Sequence, residues 1–437
     1  MIYSVNTQVR VAVTRGSADD KVIIIHNGEN TEYRANKMMY DIVCFIDHEC
    51  LEGDGAVRAI SDKFDISIQD SSEAVRFLCD EKIVTGGDQK KHCPNILQLY
   101  DGPYPLSNVT LEVTDACNLK CRHCYGDFGP SRRNFLSLEL IDRLMPELDR
   151  LNTYDVGLTG GEFFIHPQYD EIFSLFERRG YAITVFSNGL LTDRIERFAK
   201  KHADTRFICK ISLDGFEQTH NQLRGNSASF QQACRTLNIL RDMNNVEVKV
   251  SVTLGKNNVR EVRSLVDFIR REYQTDPTVD LIFPSGCTTE QKTDLVFAPE
   301  EFDQLRDLYP EYFRTAGTQS VVDGKTALRC IGGVNTLTIG ADKKVRICNN
   351  ASDDRFCFGS LDERSLTDLW LNPPRGIQFF RGERCCDVNM CKECDYDSKC
   401  IAVNCRTLAF CYTGNDRNPN PIICYAQRMM SHENAPQ

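Results

Sequence analysis

Between residues 108 and 310 the chain alternates β-prone runs with amphipathic helical ones, and that alternation leaves few folds open. The β-prone runs fall at 108–114, 154–158, 181–187, 207–213, 246–253 and 279–283. Helical spacing recurs between them, as in Leu138, Ile141, Leu144, Met145 and Leu148, with Ser137 placed as an N-cap. Pro167 suits the first turn of the next helix. Six βα units in succession read as a partial (β/α)6 TIM-like barrel of the α/β class, whose chemistry sits at the C-terminal ends of its strands.

The first of those strands runs into Cys117-Asn118-Leu119-Lys120-Cys121-Arg122-His123-Cys124, a Cys-x3-Cys-x2-Cys loop. Three thiolates fall one short of the four ligands of a structural zinc site. They suit three irons of a four-iron cluster and leave the fourth iron open to a small molecule. The chain holds 21 cysteines in 437 residues. Cys330, Cys348, Cys357, Cys385, Cys386, Cys391, Cys394, Cys400, Cys405, Cys411 and Cys424 crowd the last quarter. In a reducing compartment such clustering reads as metal binding rather than disulfides, with a zinc ribbon over Cys391 to Cys405 as the alternative to iron–sulfur. Cys44, Cys50, Cys79, Cys209 and Cys234 read as small buried hydrophobes, and Cys93, in a polar stretch, is expected at the surface.

A net charge of −10 and a pI near 5.4 argue against a polyanion as the main partner. No run approaches the roughly 18 apolar residues of a membrane span. The opening Met1-Ile2-Tyr3-Ser4-Val5-Asn6 lacks the basic-then-apolar order of a signal peptide, so a cytoplasmic protein is expected.

Residues 1–92 read as a separate small domain. Asn27-Gly28 lies between the β-prone runs of Val22–Tyr33, a hairpin signal. Helical patterns follow near 36–49, 54–64 and 70–83. Met39, Ile42, Val43 and Ile46 face one side of the first; Val75, Phe77, Leu78 and Ile83 give the last a buried face, capped by Asp70, Ser71 or Ser72. A hairpin with three helices is a winged-helix-like outline, ordinarily a DNA-binding one. Sixteen acidic against eleven basic residues through Lys91 weigh against DNA. Residues 93–107, with Pro94 and Pro103-Tyr104-Pro105, read as a linker; the barrel is assigned to 108–315 and a Cys-rich domain to 325–437.

Taken together, Cys117, Cys121, His123 and Cys124 and the marks that follow resemble the radical S-adenosylmethionine (radical SAM) superfamily. Thr159-Gly160-Gly161-Glu162 after the second strand is similar to its Gly-Gly-Glu motif, although Phe163 stands where the family often has proline. Ser187-Asn188-Gly189 follows the third strand, and Ser212, Asp214 and Arg224 surround the fourth. The resemblance implies a [4Fe–4S] cluster on Cys117, Cys121 and Cys124. It implies SAM held by Gly160, Gly161, Glu162, Ser187, Asn188, Ser212, Asp214 and Arg224, with Val252 to Asn257 along the adenosine. Glu162 would orient the amino group of SAM, and Ser212 and Arg224 its carboxylate. The chemistry implied is reductive cleavage of SAM to a 5′-deoxyadenosyl radical that takes a hydrogen atom from substrate, with flavodoxin or ferredoxin as reductant.

The last quarter resembles the SPASM domain, an iron–sulfur domain of auxiliary clusters. Four residues separate Cys400 from Cys405 where three are usual, and Lys343 stands where a glycine is expected. The resemblance implies one auxiliary cluster on Cys391, Cys394, Cys400 and Cys424 and another on Cys330, Cys348 and Cys405, with Cys357 or an open site completing the second. Residues 1–92 resemble the PqqD-like peptide-recognition element, which implies a ribosomal precursor peptide as partner, its leader added as a strand against the hairpin edge. The function implied is maturation of that peptide by an intramolecular crosslink, a thioether first and a carbon–carbon bond second. The alternatives are activation of a folded protein in the manner of a sulfatase maturase and, from another class, a non-catalytic iron–sulfur regulator with a winged-helix head.

Overall fold

The computed structural model describes residues 2–15, 20–26, 31–49, 51–89, 91–126, 128–282, 284, 294–316, 331–382 and 405–426. In the N-terminal unit, β1 (Ile2–Val5), β2 (Val9–Thr14), β3 (Lys21–His26) and β4 (Thr31–Ala35) precede α1 (Lys37–His48), α2 (Gly53–Phe64) and α3 (Ile68–Asp80), and β5 (Val84–Gly87) follows. β2, β3 and β4 form an antiparallel sheet, and β1 pairs with β5. The hairpin of β3 and β4 stands where expected, although the Asn27-Gly28 turn lies outside the described residues. Ser67, not residues 70–72, caps α3, accepting a hydrogen bond from Asp70 N at 3.0 Å. Phe77, expected inside, is 37% exposed and meets Tyr33 edge-to-face.

Residues 93–107 are not a free linker. Val11 N donates to Asn95 O, Leu97 N to Val11 O and Tyr100 N to Val13 O, so the segment runs alongside β2. Cys93, expected at the surface, is 1% exposed, and burial pushes its thiol up to about 11. Arg10 of β2 is likewise buried, against the barrel. Its guanidinium stacks on Tyr181 and donates to Thr153 O, Arg179 O, Asp149 Oδ1 and the Tyr181 hydroxyl.

The barrel strands follow the sequence expectation within a residue or two at most ends. They are β6 (Asn108–Glu112), β7 (Asp155–Thr159), β8 (Ala182–Ser187), β9 (Phe207–Ser212), β10 (Val246–Leu254) and β11 (Thr278–Leu281), parallel and adjacent in chain order. Helices α4 (Leu138–Arg150), α5 (Tyr169–Glu177), α6 (Thr192–Lys201), α7 (Glu217–Arg224), α8 (Ser229–Arg241) and α9 (Val259–Tyr273) connect them. Ser137 caps α4 as expected, through Leu140 N at 3.2 Å. Strict alternation along β9 and β10 turns Cys209, Ile211, Val248, Val250 and Val252 toward the helices and leaves Lys210, Ser212, Ser251 and Thr253 to the barrel interior. The six strands with their helices form the partial α/β barrel that the alternation predicts.

After the barrel come α10 (Phe302–Leu308) and α11 (Glu311–Ala316); β12 (Thr336–Ile339) then pairs parallel with β6 and extends the sheet through β13 (Lys344–Arg346) and β14 (Cys357–Ser360). Lys343 adopts φ +62°, the left-handed conformation that favours glycine at this turn. α12 (Leu366–Leu371), α13 (Arg375–Gly382) and α14 (Arg406–Thr413) complete the unit. Trp370 on α12 is fully buried, stacked on Phe358, and its Nε1 donates to Tyr104 O at 2.7 Å, tying this unit to the 93–107 segment.

Candidate active site

The Cys117–Cys124 loop follows the C-terminal end of β6 and is held by two outside segments and by a turn of its own. Cys117 N donates to Gly129 O at 3.2 Å, Arg122 N to Leu223 O at 2.9 Å and Cys124 N to Cys121 O at 3.3 Å. Its three thiols border one cavity of about 500 Å³ at the strand ends. Donors already point at the sulfurs: Leu119 N at 3.4 Å and Asn188 Nδ2 at 3.8 Å from Cys117 Sγ, and Arg224 Nη1 at 3.8 Å from Cys121 Sγ. Burial first, then Glu162 and the neighbouring thiols, push the Cys117 thiol up to about 12, while the Leu119 amide opposes the rise. Thiolates gathered here need cationic charge between them. Among the described residues no group of three His, Cys, Asp or Glu side chains suits a single metal ion. A larger iron–sulfur cluster fits, because its irons supply the charge and the N–H···S donors are in place.

Gly160 and Gly161 form the adjoining wall. Gly160 has φ +138°, and a Cβ there would lie 2.3 Å from Thr114 O. A Cβ on Gly161 would lie 2.3 Å from Ala116 O. Both glycines press bare backbone against the root of the cysteine loop, with Gly161 N donating to Thr114 O at 2.7 Å. Glu162 departs from the sequence expectation. It does not line the cavity; its carboxylate, 1% exposed, accepts from Ser187 Oγ and Asn188 N at 2.9 Å and from Phe164 N at 3.2 Å. Burial raises it to about 7 against those donors. It fixes the turn after β8, and so presents Ser187 and Asn188 to the cavity.

Ser212 and Arg224 line the cavity, but Asp214 does not. Asp214 is fully buried behind them, accepting from Arg224 Nε at 2.7 Å and Thr253 N at 2.8 Å, with Arg224 Nη2 at 2.6 Å and His123 Nε2 at 3.3 Å. Burial pushes its pKa up, but Arg224 above all, then His123, His220 and the Thr253 amide, hold it down at about 2. Asp214 is therefore a positioning residue that aims Arg224 at Cys121. Of the stretch Val252 to Asn257, Thr253 reaches the cavity, whereas Val252 and Leu254 face the core.

Several cavity residues escaped the sequence reading: Tyr125, Phe186, Lys210, Ser251, Asp280 and Asn349. Lys210 and Ser251 were findable, standing two residues before Ser212 and Thr253 on the same strand faces. Asn349, from beyond β13, arrives by a tertiary contact without a local signal.

Of the C-terminal cysteines, Cys330, Cys391, Cys394 and Cys400 lie outside the described residues. Cys405 is the N-cap of α14, its sulfur accepting from Leu408 N at 3.4 Å. Cys348 Sγ lies 4.0 Å from Thr407 Oγ1, near that same helix start. Cys357 Sγ donates to Gly359 O, the Cys411 thiol on α14 is pushed up to about 11 by burial, and Cys424 N donates to Asn420 O.

Comparison with known proteins agrees with the barrel and its loop. The model of the Radical SAM superfamily matches residues 111–269. The antilisterial bacteriocin subtilosin biosynthesis protein AlbA of Bacillus subtilis is 27% identical over 284 residues, 62% of this chain and 60% of that protein. The sporulation killing factor maturation protein SkfB of Bacillus subtilis is 33% identical over 180 residues, 41% of this chain and 42% of that protein. The matched stretches thus span less than two thirds of either relative. The structure of Streptococcus suis SuiB bound to its precursor peptide SuiA superposes with a TM-score of 0.65 at 12% identity, covering 97% of this chain and 99% of that one. Residues 111–269 thus carry the match to the radical SAM superfamily, and the chain is similar to proteins of peptide maturation.

Proposed function

We propose that this protein matures a ribosomally synthesised precursor peptide by radical chemistry and installs an intramolecular crosslink, a thioether first and a carbon–carbon bond second. The observation that carries the reading is the single cavity shared by the three loop thiols, the Gly160–Gly161 backbone and Arg224. Cys117, Cys121 and Cys124 would hold a [4Fe–4S] cluster, and Gly160, Gly161, Ser187, Asn188, Ser212 and Arg224 would face SAM. When bound, that pair supplies abstraction of a hydrogen atom from the substrate.

The chain's own residues do the rest. Leu119 N, Asn188 and Arg224 orient the sulfurs by hydrogen bonds, and Asp214 holds Arg224 in place. Phe186, Leu281 and Ile282 give the cavity apolar walls that limit water around a reactive species. Cys348 and Cys405, gathered at the start of α14, suit an auxiliary cluster that also draws on Cys330, with Cys391, Cys394, Cys400 and Cys424 on a second. A cytoplasmic setting with a flavodoxin or ferredoxin donor fits such thiols. Among the described residues no helix is long and apolar enough to cross a membrane.

The N-terminal unit is read as a PqqD-like leader dock. β4 is the last strand of its sheet, and its Tyr33 meets the exposed Phe77 of α3. An edge strand next to an exposed apolar side chain suits an added peptide strand. The similarity to subtilosin and sporulation killing factor maturation proteins supports a peptide substrate. The test is mass spectrometry of short peptides encoded beside this chain after incubation with reconstituted enzyme, SAM and reductant. One peptide is expected to lose two hydrogens, and removal of residues 1–92 to abolish that loss. Full activity without residues 1–92 would defeat the leader reading and favour a folded-protein substrate.

A further inference from the structure

The cavity wall carries two charges that neither the cysteine loop nor the glycine cradle uses. Lys210 of β9 lies one pleat deeper than Ser212, and Asp280 stands on β11, with β10 between them. The Lys210 ammonium donates to Thr278 Oγ1 at 2.9 Å and sits 5.9 Å from the centre of the Phe186 ring. Its register partner on β10, Lys249, is paired with Glu247 at 2.7 Å. Asp280 acts on Lys210 through space, but among the described residues no ion pair joins them. Solvent reaches this hydrogen bond and its acceptor is a neutral hydroxyl, so the ammonium keeps donors for a carboxylate entering the cavity. Asp280 keeps an accessible carboxylate on the same cavity, able to accept from an entering N–H.

We propose that Lys210 and Asp280 form a substrate subsite for an acidic residue of the peptide, the ammonium taking its side-chain carboxylate and Asp280 accepting its backbone N–H. This rests on the peptide reading above. Placing opposite charges on strands β9 and β11 fixes both the side chain and the chain direction of the residue, and so determines which neighbouring carbon faces the cysteine loop. Lys249, already neutralised by Glu247, does not compete for the carboxylate. The other source of a carboxylate in this cavity is SAM itself, and the experiment separates the two.

The probes are N-acetyl-aspartate N-methylamide and N-acetyl-asparagine N-methylamide, titrated into cluster-loaded, SAM-bound enzyme by saturation-transfer NMR. The aspartate probe is expected to bind at least about tenfold more tightly than the asparagine probe, the scale of a charge-assisted hydrogen bond. Lys210→Met is expected to erase that preference, and Asp280→Asn to weaken both probes alike. SAM affinity, measured in parallel, is expected to stay within about twofold in both variants. Equal binding of the two probes, no binding of either, or a preference that survives Lys210→Met would overturn the subsite. A tenfold loss of SAM affinity in Lys210→Met would instead give Lys210 to the SAM carboxylate and overturn it as well. Lys210→Gln serves if the methionine variant does not fold. Failure of the peptide reading shows elsewhere, as unchanged masses for every neighbouring peptide whichever probe binds.

Discussion

Replacing Asp214 with asparagine keeps the shape of the side chain and removes its charge from a fully buried position. Arg224 loses two charged contacts at 2.7 and 2.6 Å, and His123 loses a third at 3.3 Å. A carboxyl held at about 2 instead of 3.8 contributes about 2–3 kcal/mol of stability. Because the folded-state pKa is depressed, that contribution is fully present above pH 4 and is lost as pH falls through 2. Breaking a buried ion pair by removing one partner costs about 3–5 kcal/mol, since the other charge is stranded. The two routes converge on about 3 kcal/mol, a factor on the order of 100 in a local opening equilibrium. The chain packs its N-terminal unit and its barrel around separate hydrophobic cores, so native-state hydrogen exchange reads a local effect better than a melting curve. Backbone amides of α7, Glu217–Arg224, are expected to exchange on the order of 100-fold faster in Asp214→Asn at pH 7, with the α3 amides unchanged. The difference between the proteins is expected to be flat above pH 4 and to shrink below it. Exchange in α7 within threefold of wild type, by a threshold of about 0.7 kcal/mol, would refute the assignment of Asp214 as the anchor of Arg224.

Other perturbations report on different parts of the molecule. Arg10→Met removes four donations, two of them fully buried, at the seam between β2 and the barrel and should loosen it by about 3 kcal/mol, seen as faster limited proteolysis within 93–107; a cleavage rate equal to wild type would contradict this. Gly160→Ala drives a Cβ to 2.3 Å from Thr114 O, so cluster content after reconstitution should fall severalfold while α-helical content holds, as iron analysis and circular dichroism can show. Burial first, then Glu32, raise Asp155 to about 6 against the Asn108 hydrogen bond. A raised carboxyl costs stability as pH climbs from about 4 through 6, so Asp155→Asn should stabilise the protein by about 1–2 kcal/mol at pH 8 and by almost nothing at pH 4, by denaturant titration at both.

The barrel was legible because its strands are buried on one face and meet a polar interior on the other, which prints a period of two on the sequence of β8, β9 and β10. β2 was not, because Val9 to Val13 are all buried, Arg10 included, and a strand covered on both faces loses that contrast. Gly86-Gly87, a pair that by composition suits a turn, is instead the end of β5, paired to β1 across the whole N-terminal unit. The three loop cysteines and both glycines could be picked out from local spacing, and the fold brings them to one cavity. The roles of Glu162 and Asp214 were not. Their partners, the Asn188 amide and the Arg224 guanidinium, lie 26 and 10 residues away and are brought in by the fold. Lys343 is the converse case: the residue departs from glycine, but the backbone at φ +62° keeps the turn a glycine would make.

The most direct test follows 5′-deoxyadenosine and peptide mass together in one reaction of the reduced, reconstituted enzyme with SAM and each short peptide encoded beside it. Wild type is expected to form 5′-deoxyadenosine and remove two hydrogens from one peptide, while Cys121→Ala does neither. Formation of 5′-deoxyadenosine with every peptide left unchanged would contradict peptide maturation, and equal 5′-deoxyadenosine from Cys121→Ala would contradict the cluster site itself.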